Sequence, residues 1–401
     1  MSTHVDPTAS ITRSPAPRVS THSAGSSAGT PPTALSPAAL PPASRSASRH
    51  LPAPEPTRIP REWHLSLGSV RVRVSVRTAV VCTGLILLLA ALSLVTLMTG
   101  KIALSPAEVL ATLTGRTDDA RAIQVVSSIR VPRALTGIAV GMALGGAGCV
   151  FQSVSRNALG SPDVIGFTTG AATGAVVQIV VFDAGPAATS LAAVATGLPT
   201  AVLVYTLSRS NGTTGGYRLV LVGIGVSAFL AALNTLVLAR GDLDLATRAR
   251  IWLSGSLNAR TWADAWPVVV AVVVLLPLLC AQARRLDALE MGDDQALQLG
   301  VHAERTRVVT MLAAVVLTAA AVGAAGPIAF VALAAPQLAS RLTRVPRVQV
   351  LTSALTGAAL LVAADVVSVH LPLRAALPVG LATGALGGCY LLWLLTRTRQ
   401  V

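Results

Sequence analysis

Charge is scarce in this sequence: 12% of its 401 residues are Asp, Glu, Lys or Arg, against roughly 25% in a typical soluble domain. A chain this poor in charge cannot cover a water-exposed surface, which excludes an ordinary soluble protein. Lysine occurs once, at Lys101, and Ile102 follows it. A P-loop needs Lys followed by Ser or Thr, so ATP binding by that route is excluded, and no cofactor is expected. Aromatic residues make up 3% of the chain. The net charge of +14 is therefore not read as a nucleic-acid footprint, because the arginines are scattered between apolar runs. Positive charge of that kind collects on the cytoplasmic side of membrane proteins. Cys82, Cys149, Cys280 and Cys389 all fall in apolar runs, and no pair has metal-ligand spacing. They read as small buried hydrophobes, and no metal site is expected. No secretory leader is visible, since the first apolar run starts near Thr78.

What the chain has in quantity is apolar sequence, 53% hydrophobic with a mean hydropathy of +0.67. Residues 1–60 are Ser, Thr, Ala and Pro with scattered Arg, and read as a disordered cytoplasmic extension. Residues 61–77 form a basic juxtamembrane segment, with Arg61, Arg71, Arg73 and Arg77 holding the N-terminus in the cytoplasm. From 78 to 397 uncharged runs alternate with charged punctuation. A span takes ~20 apolar residues, and the runs are 78–100, 134–155, 164–182, 184–208, 219–239, 265–283, 308–325, 327–340, 348–364 and 375–396. The uncharged stretch 308–340 is divided at Gly326-Pro327 because proline removes a helical hydrogen bond.

The expected fold is an all-α polytopic membrane protein of about ten transmembrane helices, with both termini cytoplasmic and the chain multi-pass in the cytoplasmic membrane. Charge agrees: Arg156, Arg209, Arg218, Arg284, Arg285, Arg305, Arg307, Arg341, Arg344 and Arg347 all fall in loops assigned to the inside. Gly137, Gly141, Gly145, Gly146 and Gly148 share one run and suit close helix packing. Trp252, Trp262 and Trp266 read as anchors at the outer interface with membrane lipid.

An ion-coupled carrier needs ionisable groups inside its spans. Here Asp163, Asp183 and Asp365 lie at the ends of runs, so the driving energy is expected to enter from outside the bilayer. The place for it is 284–307, a charged stretch between long apolar runs, broken at Gly292 and Gly300 where glycine allows tight bends. An ordinary solvated loop is the other reading of these residues.

Several segments, in order, resemble the permease subunit of the ABC importers for iron–siderophore complexes, haem and cobalamin. They are Arg130-Val131-Pro132-Arg133; Gln152 with Arg156 to Gly166; Trp252 to Leu257; Leu289 to Asp294 with Ala296 and Leu299-Gly300-Val301; Gly326 to Val331; Pro336-Gln337-Leu338; Ala364-Asp365; and Leu377 to Gly380. Ser161 to Phe167, Leu289 to Asp294 and Gly387 to Tyr390 make the chain most similar to the ferric-enterobactin permease type. The resemblance implies an importer for ferric siderophores, with cobalamin or haem as the alternative cargo. The chain would be its translocation subunit and not an enzyme.

The resemblance also implies partners: two ABC ATPase subunits, a second permease chain (a related hetero-partner or a second copy), and an extracytoplasmic substrate-binding protein. Iron would stay inside its chelate. Glu290, Gly292, Asp293, Asp294, Ala296, Leu299 and Gly300 would form the ATPase-coupling loop, the acids offered to basic groups of the ATPase and Met291, Ala296 and Leu299 as apolar knobs. Arg130 and Arg133 would dock the binding protein at the outer mouth. Gln152, Asn157, Pro162 and Gly166 would belong to the translocation path or gate, while Gln152 and Asn157 equally suit helix capping. The sequence departs from the family at Ala158, Gln337, Ser340, Val369 and Ala376.

Overall fold

The computed structural model describes residues 62–67, 70–100, 102–163, 166–210, 213–214, 216–371 and 377–397. The expectations for residues 1–60 and for Ala376 lie outside them. Ile59–Val401 forms one compact unit, and it is this unit that carries the architecture below.

Each apolar run read from the sequence is met by a helix. They are α1 (Val76–Met98), α4 (Val131–Ser155), α5 (Phe167–Val180), α6 (Pro186–Ser208), α7 (Gly216–Arg240), α9 (Trp262–Glu290), α11 (Ala303–Ala325), α12 (Val331–Thr343), α13 (Val350–His370) and α14 (Val379–Arg397). Between them lie the short helices α2 (Pro106–Leu113), α3 (Ala120–Val125), α8 (Leu243–Leu253) and α10 (Asp293–Gln298). Among the described residues, 7 helices are long and apolar enough to cross a membrane. The chain thus folds as a polytopic membrane protein whose spanning elements are all helices. The helices α5, of 14 residues, and α12, of 13, are shorter than a full span.

Two short antiparallel ladders accompany the helices: β1 (Glu62–Leu67) with β2 (Val70–Ser75), and β3 (Arg209–Ser210) with β4 (Thr213–Thr214). The Val-Arg-Val-Arg-Val alternation at 70–74 has the period of two that suits a strand. The segment read as a basic tether is therefore a hairpin leading into α1.

The break at Gly326-Pro327 occurs where proline places it. The helix α11 stops at Ala325, Gly326 takes φ 74°, and the chain runs irregularly to Phe330, whose own φ of 68° starts α12. A second proline effect shapes the start of α4. Val131 N–H bonds to Val126 O, one residue further back than in an α-helix, across the π-helical step Val126–Arg130. Pro132 has no N–H to continue that pattern, and the Ser127 carbonyl is taken instead by Trp262 Nε1 at 3.0 Å. Trp262 thereby ties α9 to α4.

The hub of the bundle is α4, which with its π-helical lead-in forms a continuous helical stretch 83% buried over its most apolar window. Its glycines make room for neighbouring backbone. A Cβ on Gly145 would lie 2.3 Å from Ser353 O, one on Gly148 1.8 Å from Ala332 O, and one on Gly357 of α13 2.3 Å from Gly141 O. At one end of α4, Arg133 grips Asp365 of α13 through Nε to Oδ2 at 3.1 Å and Nη2 to Oδ1 at 2.7 Å. The Asp365 side chain is 4% exposed and that of Arg133 22%.

Two outcomes follow from this packing. Gly148→Ala should destabilise the fold by at least about 1–3 kcal/mol through overpacking, lowering membrane abundance and the melting temperature in detergent. Gly84→Ala, on an open face of α1 with nothing within 4 Å, should change neither. Arg133→Ala should strand a buried carboxylate and destabilise by about 3 kcal/mol. Removing Asp365 as well should recover most of that loss in the same melting assay.

Candidate functional site

The stretch 284–307 folds into the end of α9, the short helix α10 and the start of α11. Its two corners are Gly292 at φ 124° and Gly300 at φ 76°, backbone angles that a side chain resists. Asp293 and Asp294 occupy the first turn of α10, where negative charge suits the helix N-terminus. Ala296 is fully buried against the bundle and does not project as a knob, while Met291, Leu297 and Leu299 are exposed.

The acids divide. Asp294 faces solvent, as the sequence suggested. Asp293 turns inward and is shared by two arginines, Arg156 at the C-cap of α4 and Arg307 of α11. Arg307 bonds both Asp293 oxygens at 3.1 Å and reaches Glu304 Oε2 at 2.8 Å. Glu304 in turn accepts from Tyr205 OH of α6. Arg156, held in the left-handed region at φ 50°, also donates from Nε to Leu289 O at 2.9 Å. Glu290 is exposed yet accepts from Ser153 Oγ at 2.6 Å. Two of the three acids offered to a partner by the sequence reading are thus engaged inside the chain.

Partial burial alone would raise the Asp293 carboxyl, but the hydrogen bond and charge of Arg307, and then Arg156, outweigh it and hold the group below the ordinary aspartate range. The stabilisation from a depressed carboxylate is complete above that range and is lost as pH falls below it through the depressed value, so the network is intact at neutral pH. The Arg156–Asp293 pair, 43% and 39% exposed, contributes only about 0–1 kcal/mol to stability. Sequence reasoning passed over Tyr205, Glu304 and the role of Arg307. The available signals were a tyrosine inside an apolar run and an acid–base pair one helical turn apart.

A cavity of about 630 Å³ opens between the loop before α5, the loop after α8, the start of α12 and α14; Ser161, Asp163, Thr168, Ser254, Phe330 and Gly380 are among its walls. Four motif segments meet here, three of them backbone to backbone. Ser256 N–H bonds to Ala325 O at 2.8 Å, and Gly380 N–H to Gly255 O at 3.3 Å. The approach is so close that a Cβ on Gly255 would lie 2.3 Å from Pro327 O and one on Gly380 2.1 Å from Ser254 O. Thr168 Oγ1 donates to Asp163 Oδ1 at 2.5 Å.

The predicted path residues separate into two groups. Pro162 is buried between the cavity residues Ser161 and Asp163, and Gly166, at φ 85°, opens α5 just before Thr168. Gln152 and Asn157 stand off the cavity. Gln152 donates to Leu333 O at 3.0 Å and accepts from Gln337 at 3.1 Å, while Gln337 also reaches Ala158 O at 3.0 Å. These amides fasten α12 to the end of α4, and two of the departures from the family pattern, Ala158 and Gln337, touch each other. Asn157 Oδ1 accepts from Leu159 N–H at 2.9 Å, which is a turn-capping role.

The two arginines expected to dock the binding protein, at the opposite end of α4, both have partners inside the chain. Arg130 is 6% exposed and donates to Leu97 O at 2.5 Å and to Ile102 O, across the chain leaving α1. Arg133 is held by Asp365. The physical reason is shared: a guanidinium withdrawn from water needs its donors filled, and the carbonyls of Leu97 and Ile102 around the end of α1 and the carboxylate of α13 fill them.

The chain resembles known proteins over the helical domain. A model of the FecCD transport family matches residues 86–397. The ferric enterobactin transport system permease protein of Escherichia coli (strain K12) is 43% identical over 325 residues, covering 81% of this chain and 98% of the relative. The cobalamin import system permease protein of Halobacterium salinarum is 37% identical over 279 residues, 69% of this chain and 74% of its own. A solved metal-chelate type ABC transporter in an inward-facing conformation superposes with a TM-score of 0.71 at 26% identity, over 80% of this chain and 99% of that one. With most of its length matched in this way, the chain belongs to the FecCD transport family.

Proposed function

We propose that this chain is the translocation subunit of an ATP-driven importer in the cytoplasmic membrane that carries ferric siderophores inward, with ATP hydrolysed by a separate subunit. The observation that carries the reading is the 43% identity to the ferric enterobactin permease across 98% of that relative's length. The geometry supports it. A short helix, α10, is braced from beneath, and it and its flanking turns present Met291, Asp294, Leu297 and Leu299 outward, a surface suited to an ATPase that supplies the driving energy. A cobalamin importer is the second reading, favoured by the relative from Halobacterium salinarum.

The partners in this proposal are a pair of ATPase subunits, a second permease chain and an extracytoplasmic binding protein. Docking of the ATPase would fall to the apolar residues of α10 and to Asp294, with Gly292 and Gly300 setting its angle. On the outer side Arg133, partly exposed beside Asp365, is the member of the predicted docking pair still reachable by a partner, whereas Arg130 is buried. The cavity beside Ser161, Asp163 and Phe330 would form part of the path, with Pro162 and Gly166 shaping its wall.

Two variants test the coupling surface. Leu297→Asp places a charge on an exposed apolar position and should cut ATPase co-purification and uptake about tenfold, the loss of roughly 1.4 kcal/mol, with membrane abundance unchanged. Gly292→Val has open space around its Cβ but a φ of 124°, so it should insert normally and lose ATP-dependent uptake of radiolabelled ferric enterobactin. Normal uptake by both variants would refute the assignment of α10.

A further inference from the structure

The polar network under α10 does more than hold a loop. It begins at Tyr205 on α6, passes through Glu304 and Arg307 on α11 to Asp293 on α10, and ends at Arg156. Arg156 is where α4 stops, in a left-handed conformation, and the next residues are the turn that leads to Ser161 and Asp163 in the cavity wall. That turn is compact: Asn157 N–H bonds to Gln152 O, Gly160 N–H to Asn157 O, and Gln337 from α12 clasps Ala158 O. A Cβ on Gly160 would lie 2.3 Å from Ser155 Oγ, so the turn has no slack against α4. A displacement of α10 therefore meets a stiff connection to the cavity wall at one exposed contact, the Arg156–Asp293 pair. Arg156 also holds the α9 end through Leu289 O, so it gathers both sides of the corner at Gly292.

We infer that Arg156 and Asp293 are positioning residues forming a strut that carries the movement of α10 to the Arg156–Asp163 turn, coupling ATP hydrolysis to opening of the cavity wall. Asp293 on this view is not a docking acid. The inference rests on the importer reading, and the strut is examined with nucleotide alone so that the two can fail separately.

Spin labels are placed at Gln298, the last residue of α10, and Leu159, both exposed, in the full importer with its ATPase, partner permease and binding protein. Their distance is read by pulsed EPR without nucleotide and after trapping with ATP and vanadate. The expected result is a distance that does not change on trapping in the otherwise wild-type complex, because helix and loop move as one body, and that shifts or broadens in Arg156→Ala. With ferric enterobactin as probe, Arg156→Ala and Asp293→Asn should each raise the ATP hydrolysed per chelate imported by about tenfold, within the usual range for coupled sites. ATPase co-purification should stay within about twofold of wild type, and the double variant should be no worse than either single one. A purely structural role would lower hydrolysis and uptake together and leave their ratio unchanged. If Arg156→Ala reduces membrane abundance, Arg156→Gln gives the same comparison. The strut is overturned if the distance changes equally in wild type and variant, if the single effects multiply in the double variant, or if Asp293→Asn loses the ATPase. Failure of the wild-type complex to import ferric enterobactin would refute the cargo while the distance measurement still decides the strut.

Discussion

The contact on which the other packing depends is backbone against backbone, where α4 meets α13 and the first turn of α12. Carbonyl oxygens of Ser353 and Ala332 sit where side chains would otherwise stand on Gly145 and Gly148. Apolar burial does not drive association between helices in a bilayer, because lipid is as apolar as the neighbour. Close approach supplies dispersion contact instead, and only glycine allows it here. Once α4 and α13 are locked, their shared end can carry Arg133 and Asp365 in register, and the other end of α4 delivers Arg156 to the corner between α9 and α10.

Polar side chains are placed against backbone carbonyls at several points of this frame. Arg130 takes those of Leu97 and Ile102 around the end of α1, Trp262 that of Ser127 freed by Pro132, and the Gln152–Gln337 pair those of Leu333 and Ala158. Where such a group is buried, as Leu97 O is beneath Arg130, leaving it unfilled costs roughly 2–7 kcal/mol. Several residues that resemble a functional signature, Arg130, Gln152 and Gln337 among them, thus also hold backbone of separate elements together. Leucine, valine and alanine cover the rest.

Much of this was legible from sequence. Run lengths gave the helices, the uncharged 308–340 stretch broke at Gly326 as proline chemistry requires, and Gly292 and Gly300 took the bends predicted of them. The hairpin before α1 was visible as an alternation of Val and Arg that went unread. Side-chain direction was not legible. Nothing in the spacing of Asp293 and Asp294 says which of them faces Arg307, because that depends on where α11 and the end of α4 lie. Arg130 and Arg133 looked exposed because they flank a span, yet their partners come from Leu97 and Asp365, far away in the chain. Periodicity reports which residues share a face and is silent about long-range partners.

The unequal burial of the helices has an evolutionary consequence. The helix α7 is only 11% buried over its most apolar window and α1 17%, whereas the stretch ending in α4 is 83% buried. Away from any face that a second chain covers, substitutions on the open helices need only remain apolar. On α4 a methyl added at Gly145 or Gly148 collides with a neighbour's carbonyl. The packing therefore tolerates change unevenly, least along its central helix.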